Sequence, residues 1–261
     1  MSKRNINGSR AIITGASSGI GYELALHMAK VGSQLVIVAR RETRLLELAK
    51  KIAESGGQVE TVVGDITDPN VRTACIEKAQ SCFGGLDILI NNAGIGAMGK
   101  FENADPERAR QVMEINFFAL IELTRLALPL LKNGVNPIIV NISSILGRRG
   151  VPYNSEYSAS KFAVHGFSES LRAELTADKI DVLVVSPGTT STEFFDSVIQ
   201  KTGEPSWPEH APVTAAHVAK QTIKAIERGR HEIVPYKWGK LLCWLNRLSP
   251  RLVDSIMARY A

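Results

Sequence analysis

Long apolar runs are missing from this sequence. No stretch of its 261 residues approaches the ~20 consecutive apolar residues that a membrane-spanning helix needs. Residues 1–10 are polar and basic, and only Ala11, Ile12 and Ile13 are apolar before Thr14, too short a core for a secretory leader. Cysteine is scarce as well. Cys75, Cys82 and Cys243 are odd in number and lack metal-type spacing, so they predict free thiols in a reducing, cytoplasmic setting. The five histidines form no metal motif, and no catalytic metal is expected. Internal repeats, low-complexity segments and linkers are also absent. What remains, 44% hydrophobic and 22% charged residues, suits one globular domain with a complete core.

Charge is unevenly placed. Residues 237–261 carry Lys237, Lys240, Arg247, Arg251 and Arg259 against Asp254, a net +4, which leaves +1 of the chain's +5 for the other 236 residues. A nearly neutral body argues against nucleic acid as a partner and marks the C-terminal segment as distinct.

Short β-branched runs alternate with amphipathic stretches. Residues 10–14, 34–38, 59–63, 86–90, 137–141 and 180–185 predict buried strands, with 232–234 as a seventh. Asp68-Pro69 and Asp105-Pro106 each place a cap before a proline at the first helical position, Thr214 caps a later helix, and residues 106–132 read as one long helix. Strand and helix alternating in this way predict an α/β fold, a doubly wound parallel sheet of about seven strands in one domain, residues 1–236. Residues 237–261 form an amphipathic helical extension of it.

Thr14 leads into Gly15-Ala16-Ser17-Ser18-Gly19-Ile20-Gly21. Glycines between a first strand and a first helix permit a tight turn and let a pyrophosphate approach the backbone at the helix N-terminus. After the second strand, Ala39 stands where an NAD-binding fold usually carries an acidic residue for the ribose, and two arginines follow. A guanidinium suits a 2′-phosphate, so Arg40, helped by Ser17, favours NADP over NAD. Asp65 fits turn chemistry in Gly64-Asp65-Ile66-Thr67. Asn91-Asn92-Ala93-Gly94 leaves the fourth strand at the sheet edge where ligands bind, and a simple Asn/Gly turn reads equally well there. Asn116 is a polar residue among Ile115, Phe117 and Phe118, and needs partners. Ser143-Ser144 ends the fifth strand and Ser186-Pro187-Gly188 the sixth.

Tyr157 and Lys161 are four apart, on one face of a helix. Alone, such a pair describes an ordinary amphipathic helix. Beside a bound cofactor it describes more: a fixed cation draws the phenol pKa of about 10 towards neutrality.

Taken in order and spacing, residues 14–21, Asn91-Asn92-Ala93-Gly94, Asn116, Ser144, Tyr157-x-x-x-Lys161 and Pro187-Gly188 resemble the short-chain dehydrogenase/reductase family, in its compact branch. The resemblance implies a Rossmann-like fold and an NADP(H)-dependent oxidoreductase that interconverts a carbonyl and an alcohol. It implies Tyr157 as the general acid or base, and Lys161 as the group that lowers the Tyr157 pKa and holds the nicotinamide ribose. Ser144 would orient the substrate carbonyl, and Asn116 would position a water joining Lys161 to solvent. Gly15, Ser17, Ser18, Gly19, Ile20 and Gly21 would form the phosphate loop. Asp65 and Ile66 would lie at the adenine, with Asn92, Ala93 and Gly94 along the adenosine side. Pro187 and Gly188 would shape the nicotinamide pocket, Thr190 would contact the cofactor through its backbone, and Thr192 would bind phosphate or the carboxamide.

Val151, Phe194, Phe195 and Trp207 suggest an apolar pocket for a small-molecule carbonyl or alcohol of lipophilic character. The family's intact set of polar residues disfavours the alternative, a non-catalytic NADP-sensing or interaction protein. A homodimer or homotetramer is expected, although the C-terminal segment departs from the short tail of tetrameric members. Trp238, Leu241, Leu242, Leu245 and Leu248 follow helical spacing, and after Ser249-Pro250 a second helix carries Leu252, Val253, Ile256, Met257 and Tyr260. With basic residues on the other side, this segment could pack on the body, on a second copy, or peripherally on an anionic membrane.

Overall fold

The computed structural model describes residues 4–195, 198–202 and 211–260. The chain runs β1 (Arg10–Thr14), α1 (Gly19–Lys30), β2 (Gln34–Ala39), α2 (Glu42–Glu54), β3 (Gln58–Val63), α3 (Pro69–Phe83) and β4 (Ile88–Asn91) in strict alternation. After β5 (Ala97–Gly99) come α4 (Pro106–Met113), α5 (Ala119–Lys132), β6 (Ile138–Ile142), α6 (Ser155–Glu174) and β7 (Asp181–Val185). Short strands β8 (Thr190–Ser191), β9 (Ile199–Thr202) and β10 (Val213–Thr214) precede α7 (Ala215–Glu227) and β11 (Glu232–Ile233), and α8 (Lys237–Leu248) and α9 (Pro250–Met257) close the chain.

Seven strands form one parallel sheet in the order β11-β7-β6-β4-β1-β2-β3. Helices cover both faces, so the strands must be apolar at successive positions rather than alternating. Ile12, Val36, Leu89, Ile139 and Val182 face α3, α5 and α6, while Ile13, Ile37, Ile90, Val140 and Leu183 face α1, α2 and α7, in two separate cores. Strand order reverses between β1 and β4. The crevice at their carboxyl ends is where an open sheet of this kind binds ligands.

The expected caps are in place: Asp68 Oδ1 accepts from Asn70 N–H at 2.8 Å, Asp105 Oδ1 from Glu107 N–H at 2.9 Å, and Thr214 Oγ1 from His217 N–H at 3.1 Å. The predicted unbroken helix over 106–132 is corrected. Residues Glu114–Phe118 form a turn of π-helix between α4 and α5. Asn116 sits inside that turn, and such bulges recur at functional sites. No helix among the described residues is long and apolar enough to cross a membrane.

Candidate active site

The phosphate loop follows from backbone sterics. Gly15 has φ +67°, and a Cβ there would stand 2.9 Å from the Ala93 Cα, so any side chain would collide with the loop leaving β4. Asn92 fastens the two loops. Its Nδ2 donates to the carbonyls of Thr14 at 2.9 Å and Gly15 at 3.1 Å, and the N–H groups of Asn92 and Ala93 both donate to Thr14 Oγ1. The N-terminus of α1 opens on Ser18, whose side chain makes no cap bond, and the first turn holds no acidic residue. The first turn of α1 therefore adds no anion of its own beside its free N–H groups, which suits a pyrophosphate.

The cleft encloses about 310 Å³. Its walls bring together Gly15, Ser17, Ser18, Gly19, Ile20, Arg40, Asp65, Ile66, Asn92, Ala93, Gly94, Ser144, Tyr157, Lys161, Pro187, Thr190 and Thr192. Three expected residues are not on its surface. Gly21 lies beneath the loop against the Gly15 carbonyl, Gly188 lies against the Tyr236 ring, and Asn116 is fully buried.

At the adenosine end, Asp65 combines turn and charge. Burial pushes its carboxyl pKa up, but Thr67 N–H and hydroxyl and the Arg40 charge outweigh that and hold it below the usual range. Arg40 Nη1 lies 3.5 Å from Asp65 Oδ2. Arg41 donates through Nε to Ser17 Oγ at 3.1 Å and through Nη1 to Glu193 Oε2 at 2.7 Å. Arg44 also holds Glu193, and the two guanidinium partners, Arg44 first, keep that carboxyl down at about 2. The Arg41–Arg44–Glu193 cluster was not foreseen: Glu193 lies 152 and 149 positions from the two arginines, and no local spacing signals it.

At the other end, α6 presents Tyr157 and Lys161 one turn apart, both buried. Lys161 Nζ donates to the Ile142 carbonyl at 3.0 Å and lies 5.7 Å from the centre of the Tyr157 ring. Ser144 follows β6, its Oγ accepting from Leu146 N–H at 3.1 Å while it also hydrogen-bonds the Tyr157 phenol. Phe194 tilts against the Tyr157 ring, centroids 5.6 Å apart. Burial dominates the electrostatics of the cofactor-free site. Burial pushes the Tyr157 pKa up to about 12, only partly opposed by Ser144, and burial drives Lys161 down to about 8. Desolvation penalises the charged form of each group.

Asn116 braces this end. Its Oδ1 accepts from Ile95 N–H at 2.8 Å, and its Nδ2 donates to the Ile95 carbonyl and to Ser160 Oγ, both at 3.0 Å. Both amide protons are engaged, which leaves the second lone pair of Oδ1 as the remaining hydrogen-bonding capacity of this side chain. A Cβ on Gly94 would lie 3.0 Å from Asn116 Oδ1 and 3.5 Å from Lys161 Nζ, closing the gap between them. Behind the site, His165 Nε2 pairs with Ser186 Oγ at 3.1 Å, and Arg108 forms a buried ion pair with Glu156, next to Tyr157. Neither was anticipated, although Arg108 shares helical spacing with the apolar Val112 and Ile115, which was a readable signal.

For the predicted substrate pocket, Phe194 lines the cleft, whereas Val151 is not among its walls. Trp207 and the Phe195 side chain lie outside the described residues.

The family model described as short chain dehydrogenase matches residues 9–203. Dehydrogenase/reductase SDR family member 7B of Mus musculus is 33% identical over 100% of this chain and 83% of its own. A Hydroxysteroid 11-beta-dehydrogenase 1-like protein of Xenopus tropicalis is 34% identical over 96% of this chain and 87% of its own. Among solved structures, a short chain dehydrogenase/reductase from Burkholderia phymatum in complex with NAD superposes with TM-score 0.87 at 24% identity, covering 95% of this chain and 96% of that one. A short chain dehydrogenase from Burkholderia cenocepacia in complex with NADP gives TM-score 0.78 at 26% identity, over 88% and 97%.

Proposed function

The chain belongs to the short-chain dehydrogenase/reductase family, an oxidoreductase family that acts on small molecules with NAD(P), and from that premise we propose an NADP(H)-dependent enzyme that interconverts a carbonyl and an alcohol on a lipophilic substrate. One observation supports it most: Tyr157, Lys161 and Ser144 meet in the buried floor of a cleft whose other end is a glycine loop followed by arginines.

The cofactor, when bound, supplies or accepts the hydride. The chain's own residues handle the proton and the charge. With its pKa near 12, the Tyr157 phenol is fully protonated at neutral pH and is ready to donate to a carbonyl oxygen as negative charge grows there. Ser144 provides the second donor to that oxygen. Lys161, cationic below about pH 8, stabilises the phenolate left behind and reaches towards the ribose. Asn116 holds the segment at Ile95 in place. Arg40 is the main contact for the 2′-phosphate, with Ser17, already bonded to Arg41, beside it. Pro187, Gly188, Thr190 and Thr192 shape the nicotinamide end, and the protein works as a homo-oligomer with residues 237–261 in peripheral contact with membrane. The apolar character assigned to the substrate draws support from Phe194 and from the name of the steroid dehydrogenase-like relative.

The test follows NADPH absorbance over a panel of lipophilic ketones and aldehydes. Tyr157→Phe should retain NADPH binding while turnover falls by roughly 10²–10⁴-fold, the usual worth of a positioned acid. Undiminished turnover in that variant would sink the mechanism. Arg40→Ala should weaken NADPH and leave NADH binding unchanged, and a wild-type protein that binds both equally refutes the NADP assignment. A protein that binds NADPH but turns over nothing in the panel would instead be a sensor.

A further inference from the structure

The C-terminal helices divide their side chains in an unusual way. Inward, Gly239 packs so closely that a Cβ there would meet Ile145 Cγ2 at 2.7 Å, and Val253 is 1% exposed. Arg149 fixes both helices from below: its Nη1 donates to Asn246 Oδ1 at 3.2 Å and its Nη2 to Asp254 Oδ1 at 2.6 Å. The packing expected on the chain's own body is therefore made by one face. The other face leaves Trp238 (54% exposed), Leu241 (44%), Trp244 (58%), Leu248 (63%) and Leu252 (53%) in a row along α8 and α9. Lys237, Lys240, Arg247, Arg251 and Arg259 are all exposed among them.

We propose that this outer face of α8 and α9 docks on an anionic lipid surface, so that the protein draws a membrane-dissolved carbonyl substrate into the adjoining cleft. The proposal rests on the oxidoreductase reading for its substrate and on the helices alone for its surface.

Three physical arguments favour lipid over the alternatives. Exposed tryptophan and leucine in a row, rimmed by lysine and arginine, match the requirements of an interfacial helix: apolar groups for the acyl boundary and cations for the headgroups. The single acidic residue of the two helices, Asp254, is already held by Arg149, so the face presents cations alone. A second copy using this face about a two-fold axis would set those cations against themselves, because an isologous contact matches a patch with its own copy.

Continuity with the site supplies the function. The helices sit on Ile145, directly after Ser144, and on the Arg148 carbonyl, which accepts from Asn246 Nδ2 at 3.4 Å. Tyr236, at the start of α8, lies against Gly188 and hydrogen-bonds Thr189. The surface that would touch lipid is thus bonded to the segments flanking the substrate end of the cleft, and a lipophilic ketone could pass between them without crossing bulk water.

The experiment uses the full chain with vesicles of phosphatidylcholine alone or mixed with phosphatidylserine. Wild-type protein should sediment with the mixed vesicles and far less with phosphatidylcholine. Exchanging two cations, Lys240→Gln with Arg247→Gln, should weaken binding to mixed vesicles roughly 20–30-fold, from about 1 kcal/mol per basic residue near an anionic surface. Trp238→Ser with Trp244→Ser should abolish sedimentation on either lipid. All variants should keep wild-type NADPH binding and wild-type turnover of a water-soluble ketone, because none of the four residues lines the cleft; those two readouts test the oxidoreductase reading separately. Mixed vesicles should speed turnover of a membrane-dissolved ketone by wild type only. Wild-type protein that stays in the supernatant overturns the proposal. So does light scattering that shows a dimer dissociated by the same tryptophan changes, which would give the face to a second copy.

Discussion

Replacing Lys161 with methionine should stabilise the cofactor-free protein while destroying its activity. The reasoning starts from burial. Lys161 is 4% exposed, and desolvation lowers its pKa from the ordinary 10.5 to about 8. At ~1.36 kcal/mol per pKa unit, that bias against the ammonium is worth roughly 3 kcal/mol at neutral pH, with no discount for solvent because the group is buried. Methionine keeps most of the apolar stem and carries no charge. It forfeits the 3.0 Å bond from Nζ to the Ile142 carbonyl, and a buried carbonyl left without that donor costs about 1–2 kcal/mol. The net expectation is a gain of about 1–2 kcal/mol, or roughly 2–8 °C in melting temperature for a domain of this size.

The sign of the pH dependence separates this cause from any other. Below about pH 8 both folded and unfolded chains carry the Lys161 proton and the full cost is present. Between 8 and 10.5 the unfolded chain still binds a proton that the folded chain has released, so wild-type stability rises with pH relative to the variant. Urea denaturation of both proteins without cofactor at pH 7, 8.5 and 9.5 should therefore show a gap that favours the variant at pH 7 and shrinks as pH rises. Tyr157, whose pKa is pushed up to about 12, acts in the opposite sense, but only above its ordinary value of 10, and it is common to both proteins. A variant less stable than wild type at pH 7, or a gap indifferent to pH, refutes the assignment of that cost to Lys161.

Two further expectations concern the groups behind the site. Arg108 is 0% exposed and donates to Glu156 Oε1 through Nε at 3.1 Å and Nη2 at 2.7 Å, so Arg108→Met should cost about 3–5 kcal/mol by stranding a buried carboxylate. Adding Glu156→Leu should recover most of that loss in denaturant melts, and simple additivity of the two changes would show that the pair is not coupled. His165 is held neutral, its pKa lowered from 6.5 to about 4 by burial first and then by the charges of Arg148, Lys161 and Arg172. Between those values the unfolded chain takes up a proton that the folded chain refuses, so stability should fall by roughly 2 kcal/mol from pH 7 to pH 5. His165→Gln should remove that part of the acid sensitivity, and an unchanged slope would contradict the reading.

The strands were legible because both faces of the sheet are covered. Burial on two sides forces Leu35, Val36, Ile37 and Val38 to be apolar in succession, a pattern with few other causes. Predicted ends missed by one or two residues where a strand end is set by pairing; Leu86 and Asp87 precede β4, and Asp87 is held by Arg10 instead. The residues of the candidate site were legible for a related reason. Ligand-facing groups in an open sheet must sit at strand ends, and Ser144, Asn92 and Thr14 carry hydroxyls and an amide where a plain core would carry none.

What spacing could not convey was solvation. The four-residue interval between Tyr157 and Lys161 correctly placed a cation near a phenol, yet it held no information on how deeply both are buried. Burial raises the Tyr157 pKa in the cofactor-free chain, whereas the lowering was expected beside a bound cofactor. It also explains why the two results belong together. On the proposed mechanism, the burial that raises the phenol and depresses the ammonium also strengthens the Ser144 hydrogen bond to a reacting oxygen and the pull of Lys161 on the phenolate. The same burial that would make Lys161 effective makes it costly to the folded chain at rest. The helical tail shows the complementary limit: periodicity marked Trp238, Leu241, Leu242 and Leu245 as one face, but both sides of α8 carry apolar residues, and only the close approach at Gly239 decided which side met the body. A chain that spends two tryptophans on its outer side and a desolvated lysine on its inner floor is stable because of neither, which is why removing Lys161 should cost activity and not stability.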